Sequence, residues 1–130
     1  LDEDYSNLND RNITYEESEQ QRFFIFTKFQ LPPNIYTVTN CNVLVGIPPN
    51  YNQDGNDMFW TFPQLFRADG LAIPQTHAPG GGDSRIWNDV EYCRWSRHWS
   101  SGAEVWRPGR DDIISIYRRI EWAFKYPDAK

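Results

Sequence analysis

Cysteine, methionine and histidine are scarce in this chain. Two cysteines, one methionine and two histidines occur among 130 residues. With two cysteines, free thiols in the cytosol are the default expectation and a single disulfide is the lesser alternative. No Cys-x-x-Cys or His-x-x-x-His pair is present. Cys41, His77, Cys93 and His98 do not read as a zinc set, since Cys41 falls in a strand pattern and His77 in a loop. No apolar run is long enough to cross a bilayer, and no basic-then-apolar leader opens the chain. The cytoplasm is therefore the expected location, with no membrane contact. The net charge of −5 excludes a general electrostatic trap for nucleic acid. Three glycines at 80–82 are followed by no Lys-Ser/Thr pair and lack a strand-to-helix setting. They do not form a phosphate loop, and no cofactor is called for.

Aromatic residues are abundant. Six Trp, seven Tyr and eight Phe supply much of the core material for one domain spanning 1–130. Charge is segregated. Asp2, Glu3, Asp4, Asp10, Glu16, Glu17 and Glu19 stand against Arg11 in the acidic opening segment, 1–12 and just beyond. From Arg85 onward arginine becomes common, which suggests a local basic face, although Asp111, Asp112 and Glu121 are interleaved.

Periodicity predicts the elements. Leu1, Tyr5 and Leu8 share one face of a short N-terminal helix. Ile13-Thr14-Tyr15 opens a strand, Ser18 to Gln21 turns, and Phe23–Phe29 is a second strand. Residues 37–47 form the next, with Cys41, Val43, Val45 and Ile47 on one face by alternation. Residues 57–62 make a fourth. Links this short predict antiparallel neighbours in sequential order. A Pro/Gly-rich region, 63–92, then reads as loop, and loops carried on a scaffold often hold function. Over 109–125, Ile113, Ile116, Tyr117, Ile120, Ala123 and Phe124 recur at helical steps, with Asp111 and Asp112 in the first turn. The expected class is α+β: a roughly four-stranded antiparallel meander, a short N-terminal helix and a packed C-terminal helix.

Several motifs resemble a known family. The run VGIPPNYNQDGNDMFWTFP and the later WRPGRDD resemble the core and the Trp-x-Pro of the ubiquitin-conjugating (UBC) fold. Leu31-Pro32-Pro33, Pro48 to Tyr51, Asp57 to Trp60, Ala68-Asp69-Gly70, Trp95 to Trp99 and Trp106 to Gly109 resemble, in that order, the prokaryotic UBC-like family designated E. This resemblance covers about residues 13–125. It implies a UBC-like fold, cytoplasmic ubiquitin-like protein conjugation, and two partners: a ubiquitin-activating-like enzyme and a ubiquitin-like modifier. The departures concern chemistry. No His-Pro-Asn motif occurs, and Asn88 is the nearest upstream loop asparagine. Counting back from Trp106 by the spacing of a typical ubiquitin-conjugating enzyme lands on His98, not on a cysteine.

The stretch RWSRHW, residues 94–99, is the candidate centre. Cys93 just before it offers a thiol that flanking arginines would acidify, or else a small buried hydrophobe. Ser96 offers a hydroxyl with His98 as base, on one face only if the stretch is extended. Its plain alternative is a hydroxyl satisfying turn backbone. His98 suits proton transfer at neutral pH, or simple packing between aromatics. Arg94, Arg97 and Trp99 are candidate partner contacts, with solvated arginines stacked on indoles as the plain alternative. Trp95, Trp99 and Trp106 are expected to cluster.

Three functions follow. An active conjugating component would accept the modifier's C-terminus on Cys93 or Ser96 and pass it to an amine. An inactive UBC-like scaffold would bind the activating enzyme or the modifier. A domain of another class would hold a peptide or glycan in an aromatic-lined groove within the loop region.

Overall fold

Two strips of apolar residues, Phe24 and Phe26 in one strand and Val43 and Val45 in the next, point to the same side and build the core. The computed structural model describes residues 2–49, 51, 58–81, 83–97, 106–108 and 110–129. Helix α1 (Asp2–Asp10) leads into strands β1 (Tyr15–Ser18), β2 (Phe23–Gln30), β3 (Asn40–Gly46), β4 (Met58–Phe62), β5 (Arg85–Trp87) and β6 (Val90–Ser96). Helix α2 (Ile113–Lys125) closes the order. The class is α+β. The strands form one antiparallel sheet in the order β1-β2-β3-β4-β6-β5.

A bulge adjusts β2 to its helix. Phe26 pairs with Val43 but Phe29 with Cys41, so three residues oppose two. Lys28 takes the left-handed region at φ 53, and its N–H donates to Asn42 Oδ1 at 3.2 Å. The extra residue returns Phe29 to the face of Phe26. Both rings then meet Tyr117 of α2, at 5.3 and 4.4 Å between centroids. Phe124 of α2 stands edge-on to Phe29, Phe59 and Trp95. Sealing each such ring contributes roughly 1.5–3 kcal/mol. Ile25, Leu44, Trp60 and Tyr92 make a second, smaller cluster on the opposite face of the sheet.

Six strands replace the expected four. The two extra strands, β5 and β6, lie within or beyond the stretch read as loop (63–92). They are joined at Asn88 and Asp89, whose φ values of 55 and 63 fit the two-residue turn of a tight hairpin. Strand β3 begins at Asn40 rather than 37, because residues 35–37 pair elsewhere. Thr37 N–H donates to the Phe66 carbonyl and Ala68 N–H to the Ile35 carbonyl. Ser18, read as turn, belongs to β1; the turn closes with Arg22 N–H on the Glu19 carbonyl.

Helix α2 starts at Ile113, not 109, and Asp112 caps it rather than lying in its first turn. The Asp112 carboxylate accepts from Ile114 and Ser115 N–H, and its own N–H donates to Ser115 Oγ, a reciprocal capping box. Among the described residues, no helix is long and apolar enough to cross a membrane.

Candidate functional site

Strand β6 supplies the first half of the candidate centre. It pairs with β4 on its inner side, with Met58 opposite Ser96, Phe59 opposite Trp95, Trp60 opposite Arg94 and Thr61 opposite Cys93. Its outer edge is covered twice. Strand β5 takes the first part, and residues 75–77 take the rest through His77 N–H on the Arg94 carbonyl (3.0 Å) and Ser96 N–H on the Gln75 carbonyl (2.9 Å). Alternation then divides RWSRHW. Trp95 faces the main core and α2, and alternation turns Cys93 to that same side, while Tyr92, Arg94 and Ser96 face the other way.

Cys93 is 2% exposed. Burial, and secondarily the Glu91 carboxylate, push its thiol up from the ordinary value. This corrects the expectation that flanking arginines acidify it. Arg94 leaves on the opposite face, and Arg97 directs its guanidinium elsewhere. Cys41 is likewise buried and free, its thiol pushed up to about 12.

Arg94 joins a polar strap over the outward face. Its Nη1 donates to Asp83 Oδ2 at 2.9 Å and its Nη2 to His77 Nε2 at 2.7 Å. A guanidinium only donates, so His77 Nε2 is the accepting nitrogen here. Asp83 also pairs with Arg85, and these two arginines, Arg85 first, hold its carboxyl below the usual carboxylate range. The Asp83 carbonyl accepts from Trp60 Nε1 at 2.8 Å, and the Arg85 guanidinium lies 4.4 Å above the Trp60 ring. Glu91 accepts from Gly80 N–H at 2.7 Å. The Gly/Pro-rich segment before β5 is thus pinned to β6 by side chains that β5 and β6 present.

Arg97 is 2% exposed, and no carboxylate pairs with it among the described residues. It lies 4.9 Å from the Trp95 ring centre and donates to the carbonyls of Pro74, Ser96 and Pro127 at 3.1, 2.9 and 3.1 Å. Burial pulls its pKa down, partly opposed by Tyr36. Three chain segments meet on this one cation. The expectation that Arg97 offers its charge to a partner is corrected: its head is inside. The stacking of arginine on indole is seen here and again where Arg119 lies 5.5 Å over Trp106.

Trp95 packs on Phe59 at 5.3 Å and Trp106 beside Tyr51 at 5.9 Å. His98 and Trp99 lie outside the described residues. Ser96, half-buried, ends the strand on the outward face, and the expected Ser96–His98 pair falls outside the described residues with His98. Among the described residues, no group of three or more His, Cys, Asp or Glu is placed to hold a metal.

Sequence reasoning did not bring His77, Asp83 and Arg85 together around Arg94. The signal was available: Asn88-Asp89 between RIW and VEYC marks a hairpin, and a hairpin there brings Asp83 and Arg85 beside Arg94.

The family model described as Prokaryotic E2 family E matches residues 1–126. No curated protein and no solved structure matches the chain.

Proposed function

The chain belongs to prokaryotic E2 family E, and from that premise we propose that it is the conjugating component of a bacterial ubiquitin-like pathway in the cytoplasm. It accepts the C-terminus of a ubiquitin-like modifier from an activating enzyme and transfers it to an amine. The antiparallel run β1 to β4, with α1 ahead of it, supports a UBC-like fold in this reading.

Ser96 is the proposed carrier. The observation that favours it over Cys93 is the division of β6: the thiol faces the core, with its proton held by burial, while the hydroxyl side faces away from α2. Ser96 Oγ attacks the modifier's activated carbonyl, the C–O bond forms, and the bond to the activating enzyme's thiol breaks. His98 takes the hydroxyl proton and returns it to the leaving thiolate. The acceptor amine then attacks the ester carbonyl, a C–N bond forms as the C–O bond to Ser96 breaks, and the amine's proton passes to Ser96 Oγ. Arg94 and Trp99 are the proposed contacts for the modifier or the activating enzyme.

A second reading keeps the protein as a scaffold without acyl chemistry. The sealed Cys93 and the missing His-Pro-Asn favour it. The aromatic-groove reading has less support, since Trp60 and Trp95 are buried under Arg85 and Phe124 rather than lining an opening.

The protein incubated with its activating enzyme, modifier and ATP separates these readings. An adduct that resists thiols, yields to hydroxylamine and disappears in Ser96→Ala is the expected result. A thiol-sensitive adduct lost in Cys93→Ala moves the role to the cysteine. No adduct, with the activating enzyme demonstrably charged, leaves the scaffold.

A further inference from the structure

A cleft of about 380 Å³ opens between α1, the β1–β2 hairpin and the start of α2. Its walls are apolar, formed by Phe23, Phe24, Ile47 and Ile113, and Glu17 and Glu19 line it from β1 and the turn. We propose that this cleft receives a lysine or arginine side chain from a basic segment of a partner protein, the aliphatic stem lying on the apolar wall and the cation at Glu17 and Glu19. This stands apart from the acyl chemistry above.

The carboxylates choose the occupant. Asp4, on the cleft's inner side, is already engaged: Oδ2 accepts from the Tyr51 hydroxyl at 2.9 Å and Oδ1 from Ile113 N–H at 3.4 Å. Glu17 accepts only from the neutral Tyr5 hydroxyl, at 2.9 and 2.8 Å, and no ion pair forms to Glu17 or Glu19 among the described residues. Burial first, then the Glu17 bond and the nearby carboxylates, push the Tyr5 hydroxyl up to about 12, so it stays a donor and adds no charge. Among the described residues, the one cation lining the cleft is Arg22. It is held away from the glutamates by its own bonds, Nε to the Ile47 carbonyl at 3.1 Å and Nη2 to the Pro48 carbonyl at 2.9 Å.

Among the described lining residues, three carboxylates against one guanidinium leave a negative balance beside ring and isoleucine carbon. A purely apolar occupant would leave Glu17 and Glu19 without counter-charge, and an acidic one would be repelled. A long cationic side chain satisfies both surfaces. The surroundings point to a protein rather than a small cation. Glu3 and Asp10 are also exposed on α1, the helix that forms one side of the cleft, so the acidic surface is wider than the cleft and suits a basic patch.

The test is an NMR titration of the Ile47 and Ile113 methyl groups. The probes are an acetylated, amidated Gly-Gly-Lys-Gly-Gly peptide, its norleucine twin and spermidine. The lysine peptide is expected to give saturable shifts at both methyls, weakened about five-fold in Glu17→Gln/Glu19→Gln. The norleucine twin is expected not to saturate. Should the double variant unfold, Glu19→Gln alone carries the comparison, with about two-fold weakening expected. Equal binding of the norleucine twin overturns the cationic occupant. Shifts confined to α1, with Ile47 and Ile113 unmoved, overturn the cleft. Tighter binding of spermidine than of the peptide overturns the protein partner.

Discussion

Residues 2–19 hold seven carboxylates and one arginine, and residues 85–119 hold seven arginines. In the first region Glu3, Asp10, Glu16, Glu17 and Glu19 are exposed, and only Asp4 is buried among those whose side chains are described. In the second, Arg85, Arg94, Arg97 and Arg119 are half-buried or buried. They are turned toward Asp83, His77, Asp111, indole rings or backbone carbonyls. Only Arg107, Arg110 and Arg118 remain exposed there. The acidic segment keeps its charge on the surface, whereas much of the arginine-rich segment uses guanidinium groups as structural donors. The basic face suggested by counting residues is therefore much reduced. A charge count measures field strength only where side chains remain in water; a planar guanidinium with five donors is well suited to leave it.

Four substitutions would sharpen or break this contrast. Arg97→Ala is expected to have the largest effect. It leaves the carbonyls of Pro74, Ser96 and Pro127 without their donor and should lower the unfolding free energy by about 3 kcal/mol in urea titration. A loss under about 1 kcal/mol would mean that water replaces the guanidinium, and that Arg97 is no structural tie.

Asp4→Ala comes next. Asp4 is the acidic segment's exception, 6% exposed and joined to Tyr51 and to the first N–H of α2. Its loss should remove about 2 kcal/mol, while Glu16→Gln, on the exposed face, should change stability by less than about 0.5 kcal/mol. Equal effects from the two would erase the distinction between docked and solvated carboxylates.

The smallest effect concerns Asp83 and pH. Its folded pKa is depressed by Arg85 and then Arg94. The resulting stability is present above the unfolded value of about 3.9 and disappears as pH falls through the lower folded value. With the carboxylate side chain 38% exposed, the contribution should stay under about 1 kcal/mol. Asp83→Asn should therefore flatten the acid limb of the stability profile below about pH 4, measured beside the parent protein. Superimposable acid limbs would show that the Asp83 pairs are electrostatically idle.

Legibility followed the same division. Strands β2, β3 and β4 were readable because one face meets α2 and the alternation survives, as Cys41, Val43 and Val45 show. Helix α2 was readable from its isoleucine spacing, and its start was misplaced only because Asp112 caps rather than continues it. Strand β6 was hidden. Both of its faces are covered, Trp95 by α2 and Arg94 by Asp83 and His77, so polar and aromatic residues intermix without a clean period. The candidate site suffered from the same cause. Cys93 and Ser96 are three residues apart in sequence, yet an odd step along a strand places them on opposite faces.

The amino-acid order alone determined the α+β class, the core-facing positions of the early strands and of α2, and the kinship with conjugating proteins, because these depend on local period and short motifs. Which arginines remain in solvent, which nucleophile is sealed and where the N-terminal carboxylate docks were decided by the assembled structure. Burial and partnership depend on groups that are distant in the chain and adjacent only after folding, as Asp4 meets Ile113 and Arg97 meets Pro127.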